Sequence, residues 1–161
     1  MDILIANCQR TKKINSRFLK QVVTELFTDL GITEAELGIH LVGVVKMARV
    51  NWQFLQHEGS TDVITFDHSE KRKAESGKQK QLQGELFICV DDAIRQAKEF
   101  RTSWQAEVVR YVVHGVLHLL GYDDLKPALR REMKRAENRL VQRLAKRFSL
   151  AQLSRPAKLR A

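Results

Sequence analysis

The sequence has no apolar run near the roughly 18 residues that would argue for a membrane span, and only two cysteines and two prolines among 161 residues. The first absence predicts a chain that makes no membrane contact. Cys8 and Cys89 stand far apart with no C-x-x-C spacing. They predict two reduced thiols and a cytoplasmic protein, not a disulfide framework. No Pro/Gly-rich linker and no internal repeat divides the chain, which predicts one domain. Residues 1–7 (MDILIAN) carry an early acid and no basic segment, so they read as a first strand and not as a secretory leader.

What is present is an ordinary globular composition, 43% hydrophobic and 29% charged, in a chain long enough to bury a core. The charge is placed unevenly. Residues 130–161 hold eleven Lys/Arg against only Glu132 and Glu137, and so carry the whole formal excess of +9. A localised basic surface predicts a polyanion partner such as RNA. A solvated helix face is the plainer alternative.

Hydrophobic period and punctuation give the elements. Asn15 or Ser16 opens a helix with Phe18, Leu19, Val22, Val23, Leu26, Phe27 and Leu30 on one face, stopped by Gly31. Residues 36–45 read as a strand, 47–55 as a short helix, 61–66 (TDVITF) as a strand and 84–90 (GELFICV) as another. Residues 67–81, nearly without apolar side chains, read as a solvated loop. Asp91 or Asp92 caps a helix to Phe100, and Ser103 caps one running toward Leu120. Pro127 opens a last helix with Leu129, Met133, Ala136, Leu140, Leu144 and Phe148 aligned. The expectation is an α+β single domain with one mixed sheet packed by helices.

Chemistry concentrates in His114-Gly-Val-Leu-His118-Leu-Leu-Gly121-Tyr122-Asp123-Asp124. Histidines at i and i+4 leave one helical face together. Gly121 can take positive φ, so the chain can return and bring Asp124 to the same ion. Two nitrogens and one oxygen with an open position form the arrangement of catalytic zinc, whereas structural sites are closed by four ligands. The spacing also resembles the metzincin H-E-x-x-H-x-x-G-x-x-H, but Gly115 stands where those peptidases carry their glutamate base, which disfavours proteolysis.

The same run, HGVLHLLGYDD, resembles the HGxLHLxGYDH motif of the YbeY family of bacterial endoribonucleases and rRNA maturation factors. Asn51-Trp-Gln-Phe54 followed by 61–66 resembles its LNxxYR…TDVLSF block, and 84–89 (GELFIC) its GDIxIS/C strand. Met133 and Glu137 fall where its last helix carries similar residues. The resemblance spans roughly residues 1–150, leaving 151–161 as a basic tail. It implies a zinc site, here His114, His118 and Asp124, with other divalent transition metals open to it. It also implies cleavage of single-stranded RNA in 16S rRNA 3′-end maturation and ribosome quality control. The partners it implies are ribosomal RNA, a small-subunit ribosomal protein and a ribosome-assembly GTPase.

Two positions depart from that pattern. Asp124 replaces the third histidine, which zinc tolerates. Leu55 replaces an arginine, and leucine holds no phosphate. His57 lies close enough in sequence to replace part of the lost charge. Asp123 reads either as a base supporting the site or as a turn cap. Thr61 and Asp62 either line the cleft or open a strand. His40 and His68 stand alone in the sequence and read as surface or core residues. A non-cleaving assembly factor that binds pre-rRNA around a structural metal is the alternative function, and Leu55 favours it.

Overall fold

The structure, a computed structural model, describes residues 1–59, 61–69 and 80–154. Four strands form one mixed sheet in the order β1-β2-β4-β3. β1 (Asp2–Asn7), β2 (Ile32–Val42) and β4 (Lys80–Cys89) run parallel, and β3 (Val63–Asp67) pairs antiparallel with β4. The helices are α1 (Ser16–Leu30), α2 (Val44–Leu55), α3 (Val90–Phe100), α4 (Trp104–Leu119) and α5 (Pro127–Arg147), followed by a 3-10 turn, Leu150–Ser154. No helix of the described residues is long and apolar enough to cross a membrane.

Alternation along the strands divides the apolar residues into two clusters. Leu37, Ile39, Leu41, Leu82, Leu86 and Ile88 join the buried faces of α1, α3, α4 and α5 in the main core. Val42, Ile64 and Cys89 leave the opposite face and meet Met47 and Val50 of α2. α4 is the central helix. Its Val108, Val112, Val113, Val116 and Leu117 are almost wholly buried. Two glycines let it lie close on the sheet. A Cβ on Gly115 would come within 2.7 Å of Leu86 Cδ2, and one on Gly84 within 2.9 Å of Leu119 Cδ2. The absence of a side chain at Gly115 is therefore a packing requirement as well as a missing base.

Several boundaries differ from the sequence expectation for tertiary reasons. β2 begins at Ile32, four residues early, because Ile32 and Ala35 bury against the core. Val44 and Val45, β-branched and expected in that strand, begin α2 instead. The Val44 N–H is capped at 2.7 Å by the Asp91 carboxylate, 47 residues away. Asp91 thus caps α2 while Cys89 occupies the N-cap position of α3. Asn15 and Ser103 cap α1 and α4 through their side chains, as expected. Leu129, expected on the apolar face of α5, is exposed in its first turn. Lys80 and Gln81 belong to β4, and 70–79 of the expected loop lie outside the described residues. Residues 151–154, assigned to the tail by sequence, pack on the domain through the fully buried Leu153. Residues 155–161 lie outside the described residues. Cys8 is exposed and Cys89 buried.

Candidate metal centre

α4 ends at Leu119, and the chain reverses through Gly121 at φ +99°, a conformation glycine reaches without a Cβ clash. The reversal returns Asp124 to the helix face that carries the histidines. His114, His118 and Asp124 each offer a ligand atom, and these atoms all lie within 4.8 Å of one another. The two Nε2 atoms are 3.1 Å apart, and His118 Nε2 is 3.5 Å from Asp124 Oδ2. All three side chains are partly open to solvent, at 33, 26 and 41% exposure.

The far sides of the imidazoles decide what the near sides can do. His118 Nδ1 lies 3.1 Å from the main-chain oxygen of Tyr122, which can only accept, so Nδ1 carries the proton. His114 Nδ1 lies 2.8 Å from Glu137 Oε1 and donates to it. With both protons on Nδ1, neutral rings present bare lone pairs at Nε2, toward each other and toward a carboxylate. In that tautomer three acceptors converge. That arrangement calls for a cation, and imidazole nitrogens with one carboxylate suit zinc and its neighbours among the divalent transition metals. The residues therefore fit the metal.

Glu137 is the anchor of this arrangement. It is 4% exposed, and burial alone would raise its pKa. Hydrogen bonds from His114 and Arg110 and the charge of Lys134 outweigh burial and hold the carboxyl at about 2. Its other oxygen accepts from Arg110 Nη1 at 2.7 Å and Lys134 Nζ at 3.2 Å. An ionised carboxylate behind a ligating histidine fixes its tautomer and raises its basicity.

Of the weaker sequence candidates, Asp123 accepts from the Leu125 N–H at 2.9 Å and so caps the turn that presents Asp124. Asp62 caps its own strand start through the Val63 N–H. His57 sits exposed in the loop after α2 and is not part of the three-residue group. His40 and His68, isolated in sequence, meet at Glu85 on the sheet face opposite α4, with contacts of 2.9 and 2.8 Å. Sequence reasoning passes over Glu137 as an anchor, although a signal is present. It is an acid on the apolar stripe of a helix otherwise almost free of acids. The roles of Arg110, of the Tyr122 carbonyl and of Arg130, whose Nε donates to the Asp124 main-chain oxygen at 3.1 Å, have no sequence signal.

Comparison with known proteins identifies the family. The family model described as Endoribonuclease YbeY matches residues 4–145. A Salinibacter ruber protein named Endoribonuclease YbeY is 32% identical over 132 residues, covering 81% of this chain and 84% of its own. A Chlorobium luteolum protein of the same name is 32% identical over 144 residues, covering 89% of this chain and 98% of its own. The solution structure of a Thermotoga maritima protein superposes with a TM-score of 0.64 at 25% identity, covering 98% of this chain and 99% of that one. With matched regions that include both histidines and the helix behind them, this chain belongs to the YbeY endoribonuclease family.

Proposed function

We infer that this protein is a metal-dependent endoribonuclease that hydrolyses phosphodiester bonds of single-stranded ribosomal RNA, with zinc as its metal. Maturation of the 16S rRNA 3′ end and ribosome quality control in the cytoplasm are the setting. A small-subunit ribosomal protein and a ribosome-assembly GTPase are its proposed partners. The observation that carries the reading is the convergence of His114 Nε2, His118 Nε2 and Asp124 Oδ2, with both Nδ1 atoms turned away to acceptors. Relatives named endoribonuclease support the substrate class.

A divalent ion held by these three residues supplies Lewis acidity toward a phosphoryl oxygen or a water molecule. The chain's own part is orientation. Glu137 and the Tyr122 carbonyl keep both Nε2 lone pairs forward, and Asp123 shapes the turn that carries Asp124. The test is elemental analysis of purified protein beside cleavage of single-stranded RNA with and without chelator. Cleavage that persists after complete metal removal overturns the reading. A 2′,3′-cyclic phosphate on the product identifies the RNA 2′-OH as the nucleophile.

One observation favours the alternative of a non-cleaving assembly factor with a structural metal. Leu55 is 45% exposed where the family pattern carries arginine, with Trp52 and Phe54 exposed beside it. If Leu55 stands at the cleft mouth, Leu55→Arg restores an electrostatic stabiliser of a kind typically worth on the order of 10²–10³ in rate. The expected outcome is faster cleavage at unchanged metal content, while His57→Ala slows the wild type if that ring replaces part of the charge. Wild type and Leu55→Arg both inert with metal bound would establish the alternative.

A further inference from the structure

The face of α5 that carries Glu137 touches the ligand set at two points. Arg130, Lys134 and Glu137, at i, i+4 and i+7, leave the helix on one side, with about 10 Å of axis between the first and the last. At one end Glu137 Oε1 accepts from His114 Nδ1 at 2.8 Å. At the other, Arg130 Nε–H donates at 3.1 Å to the main-chain oxygen of Asp124. Two of the three candidate ligands are therefore in contact with this one face. A few covalent bonds separate the Asp124 main-chain oxygen from its carboxylate, so Arg130 Nε lies within about 8 Å of that carboxylate.

The cations on this side of the centre differ in what holds them. Arg110 Nη1 lies 2.7 Å from Glu137 Oε2 and 2.7 Å from Asn138 Oδ1, and Lys134 Nζ lies 3.2 Å from the same glutamate oxygen. Both are committed to the anchor. Arg130 is exposed and forms no ion pair among the described residues. Its one bond goes to a carbonyl, which neutralises no charge and leaves four N–H groups of the planar fork for another acceptor. A guanidinium this close to a divalent ion is repelled by it. An anion that touches both relieves the repulsion. A group that meets the fork at about 2.8 Å still faces the three ligands.

The fork also selects among anions, because it matches phosphate oxygens in a bidentate way that a point charge does not. We propose that Arg130 contacts the substrate directly, its guanidinium holding the non-bridging oxygens of the phosphodiester that occupies the metal centre. Negative charge on those oxygens grows toward the transition state of phosphodiester cleavage, so the contact strengthens as the reaction proceeds. The assignment rests on the ribonuclease reading and names a residue that meets its substrate. It places on α5 a cation of the kind that Leu55 removes from α2.

The test compares the full chain with Arg130→Gln and Arg130→Lys at saturating zinc, with metal content checked by elemental analysis. The first readout is binding of a 2′-O-methyl RNA oligonucleotide, protected from 2′-OH attack, over a salt series. Arg130→Gln should lower the slope of log K against log salt by about 0.7, the loss of one phosphate contact on a single strand. Arg130→Lys should keep the slope, because the charge remains. Lys20→Gln, exposed on α1, should leave it unchanged as well. The second readout is cleavage of unmodified single-stranded RNA. Here kcat should fall on the order of 10²–10³-fold in Arg130→Gln and stay reduced in Arg130→Lys, where the fork is gone. If Arg130→Gln sheds zinc but regains wild-type slope and rate once zinc is saturating, Arg130 only supports the Asp124 turn, and the proposal is overturned. An unchanged slope in metal-loaded Arg130→Gln overturns it too, whatever the rate. A wild type that binds without cutting, and whose slope drops in Arg130→Gln, overturns the ribonuclease reading and keeps the phosphate contact.

Discussion

The group of His114, His118 and Asp124 and the group of His40, His68 and Glu85 use the same side chains, two imidazoles and one carboxylate, in opposite senses. In the second group both histidines turn Nε2 onto Glu85, one to each oxygen. Donors meet acceptors, and the hydrogen bonds from His68 and then His40 lower the Glu85 pKa. His40 is further fixed by stacking on Phe87, with centroids 4.4 Å apart. In the first group the ring protons turn away, to Glu137 and to a carbonyl, so acceptors face acceptors. One group satisfies itself, and the other could hold a cation. Composition does not separate them. The direction of the Nδ1 hydrogen bonds does.

The harshest way to break this comparison is to remove the converging rings. His114→Ala/His118→Ala should reduce bound divalent metal from about one per chain to none by elemental analysis, while His40→Ala/His68→Ala leaves it unchanged. Metal missing from the second double variant, or retained in the first, would erase the distinction.

Next in size is the anchor. Glu137→Ala leaves the half-buried Arg110 with only the neutral Asn138 Oδ1 as acceptor, and breaking a buried pair costs about 3–5 kcal/mol. Arg110 and Lys134 keep some solvent, at 29 and 62% exposure, so denaturant unfolding should give the lower end of that range. Glu137→Gln keeps the shape but not the charge behind His114, and metal affinity should fall about 10–100-fold in a competition titration. An unchanged affinity would mean that packing alone orients the ring.

The smallest effect sharpens the other side. Glu85 is 39% exposed, so its pairs are worth only about 0.2–1 kcal/mol. Its folded pKa lies below the ordinary 4.5. The stabilisation is therefore present above about that pH and fades as pH falls through the folded value. Stability curves of wild type and Glu85→Gln should differ slightly at neutral pH and converge in acid. Divergence on acidification would reverse the sign assigned to this carboxylate.

How far the sequence reveals these features depends on how local their causes are. α4, its Ser103 cap, both histidines and the glycine turn follow from spacing within one segment, and the structure brings Asp124 to them as the spacing implies. The starts of α2 and β2 escape a reading of the sequence because their causes lie elsewhere. A carboxylate at position 91 caps residue 44, and burial against distant helices extends a strand through a polar stretch. The pairing at Glu85 joins residues 45 and 17 positions apart, which no periodicity records. Glu137 stands out only as an acid on an apolar stripe. Its meaning depends on His114, one helix away.

The closeness of Gly115 to Leu86 also limits what this scaffold can become. Its ligand spacing is near that of a zinc peptidase, and a single codon change could supply glutamate after the first histidine. That side chain would be driven into the sheet, because a Cβ there already falls inside the contact distance of the leucine. Acquiring it would require helix and sheet to separate first, which would displace both histidines from the acid that follows them. The barrier between the two chemistries is thus mechanical. An engineer seeking a peptidase here would have to shorten Leu86 before touching the site.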